Sequence, residues 1–169
     1  DFHRVYKKNE DQVLFSLFDG HGGDLVAKFV RDRIPEVFFA LLSQYENNYF
    51  KAFSESFKKI DEEMIFSKAQ IMGTTATLVL LTRVKNKRFI YCGNVGDSRG
   101  VLISNNDYIR ISYDHKCIDK SENERIRNAG GTVIHGRING NINLSRSLGD
   151  LGLKKFGLIS NPYLFQKEI

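Results

Sequence analysis

The chain has 169 residues, 41% of them apolar and 27% charged, with a net charge of +5. That size suits one domain with a sizeable core, and no apolar run approaches the roughly 20 residues of a membrane-spanning helix. The basic excess sits in short clusters such as Lys58-Lys59 and Lys154-Lys155, which read as solvated faces, so neither a membrane nor a nucleic acid is an expected partner.

The first residues carry no signal-peptide pattern, and a start at Asp1 rather than Met predicts further sequence upstream. A strand is predicted over about 12–18, delivering Asp19 and His21 onto the glycine turn Gly20-His21-Gly22-Gly23. From Asp24 the period is helical, with Leu25, Val26, Phe29 and Val30 on one face. Pro35 is expected to break this helix, which resumes over Glu36–Tyr45. Phe50, Phe53, Phe57, Ile60 and Met64 predict a helix over about 49–67 whose aromatic stripe belongs to the core. Gly73–Val84 and Arg88–Val95 read as strands, with Lys85-Asn86-Lys87 as a hairpin link. Arg99–Ser104 and Tyr108–Ser112 form a second pair around Asn105-Asn106-Asp107. A short helix from Ser121 to Ala129 ends at Gly130-Gly131. Thr132–His135 and Asn141–Ser145 complete the expected strands. Cys92 and Cys117 lack metal-ligand spacing, and Cys92 lies inside a β run, which suits a buried thiol in a reducing compartment. Adjacent strands joined by short turns, with helices in blocks, give an α+β class with antiparallel sheets.

Four segments place polar residues at strand ends: Asp19–Gly23, Gly73-Thr74-Thr75-Ala76, Asn94–Arg99 and Leu144–Asp150. A carboxylate, a peptide oxygen and an imidazole on one glycine-rich turn can hold a hard cation and move a proton. Gly96-Asp97-Ser98-Arg99-Gly100 also fits the G-x-S-x-G elbow of serine hydrolases, which requires a helix after the turn. Here β character continues through Val101-Leu102-Ile103, so Asp97 reads better as a cation ligand and Arg99 as an ion-pair partner.

Together these stretches, with Asp114-His115-Lys116 and Glu124–Gly131, resemble the metal-dependent protein serine/threonine phosphatases of the PP2C-like (PPM) family, in order and across nearly the whole chain. The resemblance implies an α-β-β-α sandwich of two antiparallel sheets flanked by helices. It also implies two Mg²⁺ or Mn²⁺ ions, with a third, weaker ion in some members. Carried over, Asp19 bridges the two metals, Gly20 ligates one through its carbonyl, and His21 protonates the leaving seryl or threonyl oxygen. Asp97 matches a third-metal position, and Asp1 matches the aspartate of the family's upstream Glu-Asp pair. Phosphoproteins are the implied substrates, acted on by a cytoplasmic or nuclear monomer.

The chain also departs from that pattern. The family's phosphate-binding arginine would lie before Asp1, and its remaining metal carboxylates would lie downstream, yet 151–169 holds no aspartate. Two divalent ions about 4 Å apart repel by roughly 17 kcal/mol at an effective dielectric near 20, and Asp1, Asp19 and Asp97 alone must offset it. The expectation is therefore a partial phosphatase domain over 1–169 that binds metal weakly and turns over little substrate. The alternative is a non-catalytic pseudophosphatase or regulatory binding domain, against which the intact Asp19 and His21 argue. Arg146 and Asp150 are read as internal hydrogen-bonding residues and His115 as a loop organiser.

Overall fold

A computed structural model describes residues 1–104 and 107–169. Strands β1 (Phe2–Asn9) and β2 (Gln12–Phe18) form a hairpin, and β3 (Gly20–His21) follows directly. Helices α1 (Leu25–Gln44) and α2 (Tyr49–Glu63) come next, then a 3₁₀ turn over Ser67–Gln70. Strands β4 (Gly73–Thr74), β5 (Ala76–Val84) and β6 (Lys87–Val95) lead to the hairpin β7 (Val101–Ser104) and β8 (Asp107–Arg110). After α3 (Lys120–Asn128) come β9 (Val133–Ile134), β10 (Arg137–Ile138), β11 (Leu148–Gly149), α4 (Leu151–Lys154) and β12 (Tyr163–Glu168).

The main sheet is antiparallel throughout, in the order β1-β2-β5-β6-β12. Alternation along β2 sets its two faces: Leu14, Ser16 and Phe18 point inward, whereas Phe15 and Leu17 face out. α1 and α2 cover the inner face, so Phe18, Phe38, Phe53, Phe57, Leu78 and Leu80 share one core, all fully buried. Removing each from water contributes about 1.5–3 kcal/mol. On the outer face, Leu102 and Ile109 from the β7–β8 hairpin, with Ile111 just after it, cover Ile90 and Cys92. Val5 and Phe15 remain open there, at 60% and 43% exposure. A second small sheet, β11-β4-β3, stands at the end of the first. Among the described residues no helix is long and apolar enough to cross a membrane.

The antiparallel α+β class, the β5–β6 hairpin and the buried Cys92 agree with the sequence reading. Lys85 and Asn86 both have positive φ, 48° and 66°, while Val84 pairs with Lys87. That geometry belongs to the two-residue type I′ turn. Several expectations are corrected. The break at Pro35 is absent and α1 runs through it. Proline removes the N–H that would bond the Arg31 carbonyl, and the Arg4 guanidinium supplies the missing donor, at 3.4 Å to Arg31 O and 3.0 Å to Asp32 O. α2 stops at Glu63, four residues early, where Met64 N–H turns back to Asp61 O. The strand expected over 73–84 is interrupted at Thr75. Residues 141–145 make only isolated bridges, Ile138 to Ile142 and Lys116 to Leu144, in place of the expected strand. The turn predicted around Asn105-Asn106 lies outside the described residues.

Candidate active site

Where β2 meets β3 the ladder bends without losing register. Leu17 pairs with Thr77 in the main sheet and Gly20 with Thr74 in the small one. Asp19 and Thr75 face each other at the bend and bond twice: Asp19 N–H donates to Thr75 Oγ1 and Thr75 N–H to Asp19 O, both at 3.0 Å. Thr75 Oγ1 also shares a 2.6 Å hydrogen bond with Ser98 Oγ. This leaves the Asp19 carboxylate exposed at the mouth of a cleft of about 630 Å³, with His21, Asp97 and Asp150 on the same lining. Arg137, Asn141 and Asn143 also line it, from the segment after α3.

Gly22 makes the turn possible. Its φ is +69°, and a side chain there would run into the Ile71 carbonyl. His21 is held on one side by β4, opposite Gly73, and its Nε2 lies 2.7 Å from Asp150 Oδ2. Asp150 is 4% exposed, and Ser147 donates its hydroxyl to the same oxygen at 2.6 Å. Asp97 is ion-paired with Lys116. Arg99 pairs instead with Asp114, Nη2 to Oδ2 at 2.7 Å.

The structure thus brings Asp19, His21 and Asp97 onto one cleft, with Gly20 in the ladder between the first two. Asp1 precedes β1, and since Phe2 pairs with Phe18, one further step along the register sets Asp1 level with Asp19. The oxygens of Asp1, Asp19 and Gly20 fit a hard divalent cation in kind. Among the described residues, no three His, Cys, Asp or Glu side chains gather as a metal-holding group. The serine-hydrolase elbow is absent, because a strand follows Ser98 and its hydroxyl is bonded to Thr75.

Behind the cleft lies a buried polar cluster. Glu122 on α3 receives Arg146 through Nε at 3.0 Å and Nη2 at 2.6 Å, Arg125 Nη2 at 2.7 Å and the Ser145 hydroxyl at 2.6 Å. Burial alone would raise the Glu122 carboxyl; the hydrogen bonds from Arg146, Ser145 and Arg125 outweigh it and hold it down to about 2. His115, buried beside this cluster, donates Nδ1–H to Gly96 O at 3.2 Å, so it does organise the loop that carries Asp97. Burial, with the nearby Arg146 charge adding to it, lowers His115 to about 4. Sequence reasoning passed over Asp150 as a partner of His21, since 129 positions separate them. The available signal was Gly73, the one residue in its strand with no side chain to occupy their meeting point.

Comparison with known proteins gives one consistent answer. The family model described as protein phosphatase 2C matches residues 2–169. The chain is 38% identical over 159 residues to a probable protein phosphatase 2C 6 of Paramecium tetraurelia, covering 86% of this chain and 52% of that protein. It is 37% identical over 166 residues to protein phosphatase 2C homolog 2 of Saccharomyces cerevisiae, covering 96% of this chain and 34% of the relative. The chain therefore spans about half the length of its Paramecium relative, or less in the yeast case. A crystal structure of a phosphatase from a pathogenic strain of Toxoplasma gondii shares the fold with a TM-score of 0.83 at 21% identity, over 94% of this chain and 65% of the other. A Caenorhabditis elegans sex determining protein does so at 0.82 and 23%, over 99% and 44%.

Proposed function

The chain belongs to the protein phosphatase 2C family, and from that premise we propose that its cleft serves hydrolysis of phosphoserine and phosphothreonine in proteins, with Mg²⁺ or Mn²⁺ as cofactor. The observation that carries this reading is the placement of Asp19 and His21, two residues apart across a rigid strand bend, on the wall of one open cleft. Asp19, Asp1, the Gly20 carbonyl and Asp97 are the groups that would hold the metal. When bound, divalent ions supply Lewis acidity, which lowers the pKa of water and offsets charge on the phosphoryl oxygens.

The remaining chemistry belongs to the protein. His21 reaches the cleft edge and gives a proton to the seryl or threonyl oxygen as its bond to phosphorus breaks. Neither serine nor cysteine acts as nucleophile: Ser98 is tied to Thr75, and burial pushes the Cys92 thiol up to about 12. Arg137 gives one guanidinium N–H to Asn141 O at 2.9 Å, and its remaining donors suit the phosphoryl group or a neighbouring acidic residue of the substrate. The test is phosphate release from a phosphothreonyl peptide at millimolar Mn²⁺. Slow turnover is expected that Asp19→Asn abolishes; release that is independent of Mn²⁺ or survives this substitution overturns the proposal.

A further inference from the structure

Drawing on the phosphatase reading for its kinetics, we propose that Asp150 is the positioning residue for His21. Its buried carboxylate holds the Nε2 edge of the imidazole, so that Nδ1 is the nitrogen presented to the departing substrate oxygen. The contact is direct, at 2.7 Å, and because a carboxylate only accepts, Nε2 carries the hydrogen of this bond. Among the described residues Nδ1 bonds no protein group. The pair runs from inside to outside: the Asp150 side chain is 5% exposed and that of His21 29%.

Its surroundings are shaped to make that contact. Asp150 adopts φ +48°, a left-handed conformation that few side chains take up. Its N–H donates to Met72 O at 2.8 Å, and the preceding Gly149 N–H donates to Asp61 Oδ1 at 2.8 Å. Lys154 in turn pairs with Asp61 at 2.5 Å, so the loop is pinned on both sides of the aspartate. Opposite, any side chain at position 73 would collide with both the Asp150 carboxylate and the His21 ring. A carboxylate needed only to finish a loop could be satisfied by the Ser147 hydroxyl and backbone amides. This one is met by an imidazole through a gap kept open by glycine.

In the reaction, a water oxygen bonds to phosphorus as the bond from phosphorus to the side-chain oxygen breaks. The Nδ1 hydrogen passes to the departing oxygen; the attacking water releases a proton to solvent, and solvent restores Nδ1. Asp150 keeps its bond throughout and fixes the ring's direction, which sets how well the proton reaches its target.

Two substrates separate this role from a structural one. A phosphothreonyl peptide needs a proton on its leaving oxygen, whereas p-nitrophenolate leaves without one. In Mn²⁺, Asp150→Asn is expected to lower kcat on the peptide about 10²-fold or more, to lower p-nitrophenyl phosphate turnover less than about 10-fold, and to leave KM unchanged. His21→Gln should show the same split, and the double variant should be no slower than either single one. Long-range ¹H–¹⁵N spectra of the four histidines, with His21 assigned through His21→Gln, should show an Nε2–H ring that shifts in Asp150→Asn. Should that variant unfold, Ser147→Ala, which removes only the hydroxyl on the same oxygen, should move the ring signals in smaller measure. Equal losses on both substrates, additive losses in the double variant, or an unmoved ring would overturn the assignment. If the unaltered chain cleaves neither substrate, the phosphatase reading falls, and the ring spectra alone decide the role of Asp150.

Discussion

Replacing Glu122 by Gln tests whether the buried cluster behind the cleft holds the second half of the chain together. The carboxylate is 4% exposed and answers two guanidinium groups whose side chains are 26% and 22% exposed. A neutral amide keeps the shape but leaves Arg125 and Arg146 without a counter-charge, a change that costs about 3–5 kcal/mol for a buried pair. Among the described residues Arg125 Nε is already buried without a hydrogen-bond partner, so that side chain has little margin. The pH dependence gives an independent magnitude. The folded carboxyl titrates at about 2 against 4.5 unfolded, a gap worth about 3 kcal/mol. Because the folded value is the lower one, this stabilisation is complete above pH 4.5 and is lost as pH falls toward 2, with about half gone near pH 3. Urea melts of both proteins at pH 6 and at pH 3.5 provide the assay. Glu122→Gln should be less stable by about 3 kcal/mol or more at pH 6, with the gap narrowing at pH 3.5. A loss below about 1 kcal/mol, or a gap independent of pH, would refute the reasoning.

Three further outcomes follow from the geometry. Gly73→Ala places a methyl against the His21–Asp150 contact and should lower stability by about 1–3 kcal/mol in thermal melts, while moving the His21 ring signals from their positions in the unaltered chain. His115, held to about 4 against 6.5 unfolded, supports the fold fully above pH 6.5 and loses that contribution as pH falls toward 4. In an NMR titration His115 should stay neutral well below pH 6.5, and titration near 6.5 would mean that its burial is transient. Converting Lys85-Asn86 to Asn-Gly should relieve about 1 kcal/mol of left-handed strain, seen as a higher urea midpoint with an unchanged slope.

Local chemistry carried much of this fold. The strand over 12–18 and the Lys85-Asn86 turn are decided within a few residues, and both were readable, although the apolar run did not reveal that Phe15 and Leu17 face out. Pro35 was not, because what keeps α1 whole is a guanidinium on Arg4, 31 positions earlier, filling in for a lost donor. Residues 141–145 have strand-like composition, but among the described residues no continuous partner strand lies beside them, so they make bridges alone. At the cleft, Asp19 and His21 announced themselves through the glycines around them. Asp97 was legible as a strand-end carboxylate, though its pairing with Lys116 was not. Asp150 was hidden, since a buried aspartate in a loop has many mundane uses and only its three-dimensional neighbour distinguishes them.

The paired bonds between Asp19 and Thr75 have a mechanical consequence. Both chain segments that pass from one sheet to the other are stitched together at the crossing, so the small sheet cannot tilt against the large one without tearing both threads. The carboxylate belongs to that seam and the imidazole follows two residues later in the small sheet, so the strand itself sets the spacing between them.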